Sequence, residues 1–464
     1  MPEALLWAPR AWVAGSWQDA VLLRADARGC WAEITPGVST APAGATVLAG
    51  PVLPGLVNAH SHAFQRAFAG LAERRESETD DFWSWRDRMY GVALRITPEQ
   101  LRAVAAQLYV ELLRGGYTQV CEFHYLQHAE DGQPYADPAA MSWALADAAA
   151  DAGIGLTVLP VLYERAGFNQ PTLRPDQRRF RTTPAEVHAL QRSVAAARRP
   201  LVNAGVAIHS LRAASAASIT ALMHAVNNDD MPIHIHVAEQ MQEVDDCVNV
   251  TGARPIEWLC GAQRPDARWQ LVHATHATAA EIDTVAECGA GIVLCPSTEA
   301  NLGDGLTDLP RWLACGAPMA IGSDSQVSRS WVEELRWLEY GQRLLRRERN
   351  VSAAPRLSQP STAARLFNAA LDGSACAAGL SLWGLKVGAR ADALVLDPHA
   401  PGLLGVMPSH ALDAWVFAAD APVLKTVYVA GRQVMTHGQH ADEARIARNF
   451  GAAMASLWGN APPD

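Results

Sequence analysis

Apolar residues along this chain follow two rhythms. Near both ends they form short runs between turn-formers. At the start these are Ala11-Trp12-Val13-Ala14-Gly15, Ala20-Val21-Leu22-Leu23 and Gly50-Pro51-Val52. At the far end they are Ala391-Asp392-Ala393-Leu394-Val395-Leu396 and Lys425-Thr426-Val427-Tyr428-Val429-Ala430-Gly431. Such runs read as strands. Two strand-rich ends around one large middle predict a small β-sandwich built from residues 1–53 and 377–436.

The middle alternates strand and helix. The run opening at Val52, then residues 118–123, 155–159, 206–209, 233–236, 269–273, 291–295 and 319–324, are apolar enough to be buried on both faces. Each is followed by a stretch of helical period. Thr97-Pro98-Glu99-Gln100 caps one helix, which runs through 101–113 and stops at Gly115-Gly116. Thr278 with Glu281 caps another, which Gly289 ends. Eight strand–helix units predict an α/β fold, a (β/α)8 TIM-type barrel over residues 54–376. A doubly wound sheet competes, but no glycine fingerprint or phosphate loop supports it. Residues 441–458 read as helical, so 437–464 form a C-terminal helical tail.

Composition narrows the class. Of 464 residues, 49% are apolar and 19% charged, the balance of a globular enzyme, and one ordinary core is too small for this length. The net charge of -10 argues against a nucleic-acid surface. The densest basic stretch, Arg343 with Arg346, Arg347 and Arg349, reads as a solvated helix face. No run approaches the ~20 apolar residues of a membrane span. Met1-Pro2-Glu3-Ala4 lacks a signal peptide's basic and apolar regions. Eight cysteines without Cys-x-x-Cys spacing read as free thiols, Cys121 and Cys295 among them buried. A cytoplasmic enzyme is the expectation, with a homodimer as the commonest assembly.

The chemistry collects at predicted strand ends, where barrels of this type carry their active sites. His60-Ser61-His62 puts two imidazoles on one strand face. His236, His273 and Asp324 end later strands, and Glu239 follows His236 by three. His60, His62, His236 and Asp324 together offer a divalent metal three nitrogens and an oxygen. A metal so held brings the pKa of water toward ~7. Glu239 is then placed to shuttle protons, His273 to orient or polarise, and Asp324 to act also as a base. His234 shares a face with His236 and competes as the ligand, but the glutamate spacing favours His236. The chain has only two lysines, Lys386 and Lys425, both far from strand four, which excludes a lysine-bridged pair of metals. A single metal follows.

This set resembles the amidohydrolase superfamily in its mononuclear deaminase branch. The likeness runs from Pro54-Gly55-Leu56-Val57-Asn58-Ala59-His60 through His236-Val237-Ala238-Glu239 to Gly384-Leu385-Lys386-Val387-Gly388-Ala389-Arg390-Ala391-Asp392. Three further stretches are similar to the formimidoylglutamate deiminase family of histidine degradation. They are His60-Ser61-His62-Ala63-Phe64-Gln65-Arg66-Ala67, Asp81-Phe82-Trp83-Ser84-Trp85-Arg86 and residues 295–305. The resemblance implies hydrolysis of N-formimidoyl-L-glutamate to N-formyl-L-glutamate and ammonia, with zinc as the metal, although nitrogen and oxygen ligands also accept iron. It implies substrate contacts from Gln65, Arg86, Tyr125, His209 and Arg212, the arginines suiting a dicarboxylate. Trp83 and Trp85 are expected to pack the loop. The alternative is a deaminase of a nucleobase or adenosine derivative with the same metal site. Another alternative is a metal-free relative used as a binding or assembly protein.

Overall fold

The structure is a computed structural model that describes residues 3–73 and 82–459; the side chains of residues 82–84, 87 and 88 lie outside this description, and so does Asp81 of the loop motif. Parallel strands Leu56–Ser61, Tyr117–His124, Gly155–Leu162, Val206–Ser210, Ile233–Val237, Trp269–His273, Gly291–Leu294 and Met319–Ile321 close into a barrel. Strand three meets strand four at Val161 opposite Ala207, and strand eight meets strand one at Ile321 opposite Asn58. A short strand, Val202–Ala204, adds to strand three outside the ring. Helices lie between the strands and cover the ring, so the strands are buried on both faces, as their unbroken apolar runs require.

The run that opens at Val52 is not one strand. Val52–Leu53 pairs with Val395 and Leu394 in the second sheet, and the barrel begins only at Leu56. Pro54 has no N–H for a ladder, and a Cβ at Gly55 would collide with the Thr118 side chain. The chain must turn there, which places His60 and His62 at the far, C-terminal end of the first barrel strand.

Helix ends follow local chemistry. Thr97 Oγ1 accepts the Gln100 N–H at 3.3 Å and the Gln100 side chain accepts the Thr97 N–H at 2.9 Å, starting helix Pro98–Arg114. Gly116 has φ +88°, and a side chain there would strike the Trp331 indole. The start of helix Trp331–Arg346, which follows strand eight, therefore lies directly against this helix end. Thr278 and Glu281 repeat the reciprocal cap before helix Ala279–Cys288, and Gly289 ends it at φ +74°.

The chain ends meet in a nine-stranded, mainly antiparallel sheet around a small core of Leu6, Val21, Leu23, Trp31 and Val395. Trp383 Nε1–H donates to the Gly55 carbonyl at 2.8 Å, joining that part to the start of the barrel. Helix Glu443–Trp458 lies along Pro98–Arg114. Gln100 donates to Ser456 at 3.0 Å, Arg114 pairs with Glu443 at 2.8 Å, and Trp458 Nε1–H donates to the Ala67 carbonyl at 3.0 Å. The eight cysteines are free. No helix among the described residues is long and apolar enough to cross a membrane.

Candidate metal and catalytic centre

Strands one and five and the turn after strand eight bring four donors together. His62 Nδ1–H donates to the Phe123 carbonyl at 2.9 Å, and His236 Nδ1–H donates to the His209 carbonyl at 2.9 Å. Each Nε2 therefore keeps a lone pair directed inward. His60 Nε2 and His236 Nε2 stand 2.9 Å apart, and Asp324 Oδ1 is 3.5 Å from His60 Nε2 and 3.4 Å from His62 Nε2. Burial holds all three rings neutral, pushing His60 down to about 3, His62 below its ordinary value and His236 well below. Burial also disfavours the Asp324 anion, yet the imidazoles of His60, His273 and His62 beside it leave its carboxyl more acidic than usual. Neutral nitrogens facing one another beside a carboxylate repel unless a cation lies among them. His60, His62 and Asp324 form one group with ligand atoms close enough to hold a divalent metal, and His60, His236 and His273 form another that shares His60.

Glu239 and His273 border that cluster. Glu239 Oε1 is 3.6 Å from His273 Nε2, and Asp324 Oδ2 is 3.7 Å from the same nitrogen. Glu299 Oε1 lies 3.3 Å from His273 Nδ1. Burial opposes charge on His273, but Glu239, Glu299 and Asp324 outweigh it and raise its pKa to about 10. Burial raises Glu239, against the pull of His273 and of Arg212, whose Nη2 is 3.8 Å away. Left-handed backbone places several of these groups: φ is +52° at Ala238, +71° at His273 and +46° at Asp324. Such conformations cost about 1 kcal/mol or more each in non-glycine residues and survive where packing enforces them.

A buried polar network supplies the enforcement. Asn58 Nδ2 donates to Ser323 Oγ at 2.7 Å, and Ser323 Oγ–H donates to Gln326 Oε1 at 2.8 Å. Gln326 Nε2 donates to Ser61 Oγ at 3.0 Å, and Ser61 donates to Glu122 Oε1 at 2.7 Å. Glu122, which burial pushes up to about 7, also accepts the Ala63 N–H at 3.0 Å. Asp324 N–H donates to the His60 carbonyl at 3.0 Å, and a Cβ at Gly322 would press 2.7 Å from His60 Cβ. Outside this network, Glu111 holds Arg66 at 2.8 Å and Arg329 at 3.1 Å, tying the segments after strands one and eight together.

A cleft opens over the cluster, and Gln65, Arg86, Tyr125, His209 and Arg212 all line it. Gln65 Nε2 donates to Tyr125 Oη at 3.2 Å, and both are buried. The His209 ring packs 4.4 Å from Tyr163, and burial with nearby Arg212 keeps it neutral. The Arg86 guanidinium lies 5.6 Å from the Tyr90 ring. Trp85 packs on Phe68 at 5.6 Å and also borders the cleft. His234 turns the other way: its Nε2 pairs with the Ala377 carbonyl at 2.9 Å, behind the strands.

Residues 52–434 match the model of the amidohydrolase family. The chain belongs to that family. A formimidoylglutamate deiminase of Pseudomonas aeruginosa is 47% identical over 453 residues, covering 97% of this chain and 99% of that protein. The crystal structure of an amidohydrolase from Brucella melitensis is 42% identical and superposes with a TM-score of 0.91 over 98% of this chain and 100% of that one. An adenosine deaminase from Xanthomonas campestris with bound zinc is 23% identical, with a TM-score of 0.79 and 98% of each chain covered, a likeness of fold alone.

Several site residues of this amidohydrolase escape a reading by strand ends. Glu299 sits within the 295–305 stretch but inside helix Pro296–Leu302, and only the turn of that helix brings it to His273. Tyr163 directly follows strand three, so its position was a usable signal; Tyr90 and Phe180 come from segments with none. Arg343 departs from the solvated face expected of the basic stretch. It is half-buried, pairs with Glu339 at 2.7 Å and lies 5.1 Å from the Phe417 ring, whereas Arg346, Arg347 and Arg349 are exposed.

Proposed function

We propose that this amidohydrolase converts N-formimidoyl-L-glutamate and water to N-formyl-L-glutamate and ammonia, acting on the C–N bond of a linear amidine. The observation that carries the reading is one cleft lined by the metal-ligand cluster, Glu239 and two arginines. One divalent ion, for which we favour zinc over iron, would be held by His60, His62, His236 and Asp324 and would supply Lewis acidity that brings water toward ionisation near neutral pH. The residues then divide the work. Arg86 and Arg212 take the carboxylates by charge-assisted hydrogen bonds. Gln65, Tyr125 and His209 orient the formimidoyl end. Asp324 or Glu239 accepts a proton from water as its oxygen adds to the formimidoyl carbon. His273, set among Glu239, Glu299 and Asp324, orients the water or polarises the formimidoyl group as charge develops there. Glu239 passes that proton to the imino nitrogen, the proton left on the added oxygen moves through Asp324 or Glu239 to the same nitrogen as the C=O bond forms, the C–N bond breaks, and ammonia leaves. The catalytic part is taken as residues 54–376, with residues 1–53 and 377–436 and the tail 437–464 as its support. Free cysteines support a cytoplasmic setting, and a homodimer is the proposed working form.

The test is ammonia release from N-formimidoyl-L-glutamate before and after chelation and zinc replacement. Metal-dependent release with N-formylglutamate as co-product is expected. A metal-loaded protein that ignores this substrate but deaminates a nucleobase or adenosine derivative overturns the substrate while leaving the site.

A further inference from the structure

The segment after strand three makes one wall of the cleft and carries a buried carboxamide that the mechanism does not use. Gln177 is 1% exposed and ends the one-turn helix Pro175–Gln177. Its Oε1 accepts the Arg174 N–H at 3.0 Å, which fixes the way the amide points. Nε2 therefore faces the wall, where it donates to Tyr163 Oη at 2.9 Å and to Tyr90 Oη at 3.4 Å. Both tyrosine rings are held in place. Phe180 packs 5.7 Å from Tyr90 and 5.5 Å from Tyr163. Arg179, wholly buried, donates to the Ala93 carbonyl at 2.6 Å and to the Ile96 carbonyl at 2.9 Å. It thus anchors the end of helix Phe82–Ala93, which bears Tyr90 and Arg86.

That arrangement fixes the direction of protons. An amide nitrogen only donates, so each phenol oxygen that it meets is an acceptor there. The two hydroxyls can share at most one hydrogen bond between them. At least one phenol proton is left to point away from the trio, and no carbonyl or carboxylate among the described residues accepts it. Both tyrosines line the cleft. Burial raises the Tyr163 pKa, and the Arg212 and Arg86 guanidinium groups lie near enough to oppose that rise; Arg86 acts on Tyr90 in the same way. Two cations beside a directed O–H donor suit an anion. We propose that Tyr90 and Tyr163 donate to a substrate carboxylate held between Arg86 and Arg212, and that Gln177 is the positioning residue that sets this polarity. This rests on the dicarboxylate substrate proposed above and names a subsite for one of its carboxylates.

Steady-state kinetics on the metal-loaded full chain tests this. The double variant Tyr90→Phe, Tyr163→Phe keeps both rings and removes the donors. Its KM for N-formimidoyl-L-glutamate is expected to rise about ten- to a hundredfold, with a smaller change in kcat. Gln177→Glu keeps the shape but turns a donor into an acceptor that draws the phenol protons inward, and the same rise is expected. Gln177→Met, which drops the donor without adding charge, carries that expectation if the buried glutamate does not fold. Two analogues each lack one carboxylate: the formimidoyl derivatives of 4-aminobutyrate and of 2-aminobutyrate. For one of them, parent and variants are expected to agree in kcat/KM within about threefold, because the group that the hydroxyls bind is gone. A double variant with the parent's KM overturns the subsite, and so does a full penalty on both analogues, which marks a loosened wall. Gln177 variants with the parent's KM overturn the part given to Gln177. A metal-loaded parent that does not turn over N-formimidoyl-L-glutamate overturns the substrate reading, and this assignment with it.

Discussion

Glu239 follows its strand by one left-handed residue, Ala238, and that turn aims its carboxyl back over the ligand cluster. Its Oε1 lies 3.6 Å from His273 and its Oε2 3.8 Å from Arg212, so one side chain borders both the residue proposed to stabilise charge and one proposed to bind substrate. Glu239→Gln keeps the shape and removes the proton carrier; kcat is expected to fall about 10²–10⁴-fold with metal content unchanged. Steady-state kinetics beside metal analysis checks both halves. Arg86 stands farther from the chemistry, on helix Phe82–Ala93. Arg86→Ala is expected to raise KM by about ten- to a hundredfold, the loss of a charge-assisted bond, with a smaller change in kcat. An unchanged KM removes Arg86 from the substrate site.

Buried and part-buried carboxylates tie the elements around the site together in addition to the strand pairing. Glu111, on helix Pro98–Arg114, grips Arg66 and Arg329 and also accepts from Gln107 at 2.9 Å. Glu111→Ala leaves two part-buried guanidinium groups without that partner and is expected to cost about 2 kcal/mol in denaturant unfolding. The loss is expected to appear also as weaker metal binding, since both metal-bearing segments loosen. Glu334 does a related task between helices Trp331–Arg346 and Pro296–Leu302, taking the Ser297 N–H at 2.9 Å and its hydroxyl at 2.6 Å. Burial pushes Glu334 up to about 8 from an ordinary 4.5. Between those values the folded protein keeps a proton that the unfolded chain releases, so this group's contribution to stability falls as pH rises through the window. Glu334→Gln is expected to flatten that decline, by at most about 1.4 kcal/mol per pH unit. Unfolding at pH 5 and pH 8 reads the difference, and parallel pH slopes refute it.

At the scale of the whole molecule, the proposed metal would join the two ends of the barrel's strand order. Four donors from strands far apart in sequence converge where no protein hydrogen bond neutralises them all. A cation that binds only the folded state stabilises it by about 4 kcal/mol at a thousand times its dissociation constant. Chelated protein is therefore expected to melt several degrees lower, and added zinc to restore the midpoint. Identical melting curves would mean that the cluster does not bind metal in the folded state.

Much of this was legible from order along the chain, because local rules decide it. Strand and helix periods, the Thr97 and Thr278 caps, and the placing of His60, His62 and His236 at strand ends need only neighbours a few residues away, whereas Asp324 reads as a strand end but lies in the turn three residues past Ile321. The turn at Pro54-Gly55 was local too, yet apolarity alone merged the runs on its two sides. Which of His234 and His236 faces inward is a matter of sheet face, and only the closed barrel decides it, burying one against Ala377 and the other against His60. Glu299 beside His273, Glu111 between two arginines and the network from Asn58 to Glu122 join residues remote in sequence. No period announces them; barrel closure creates them.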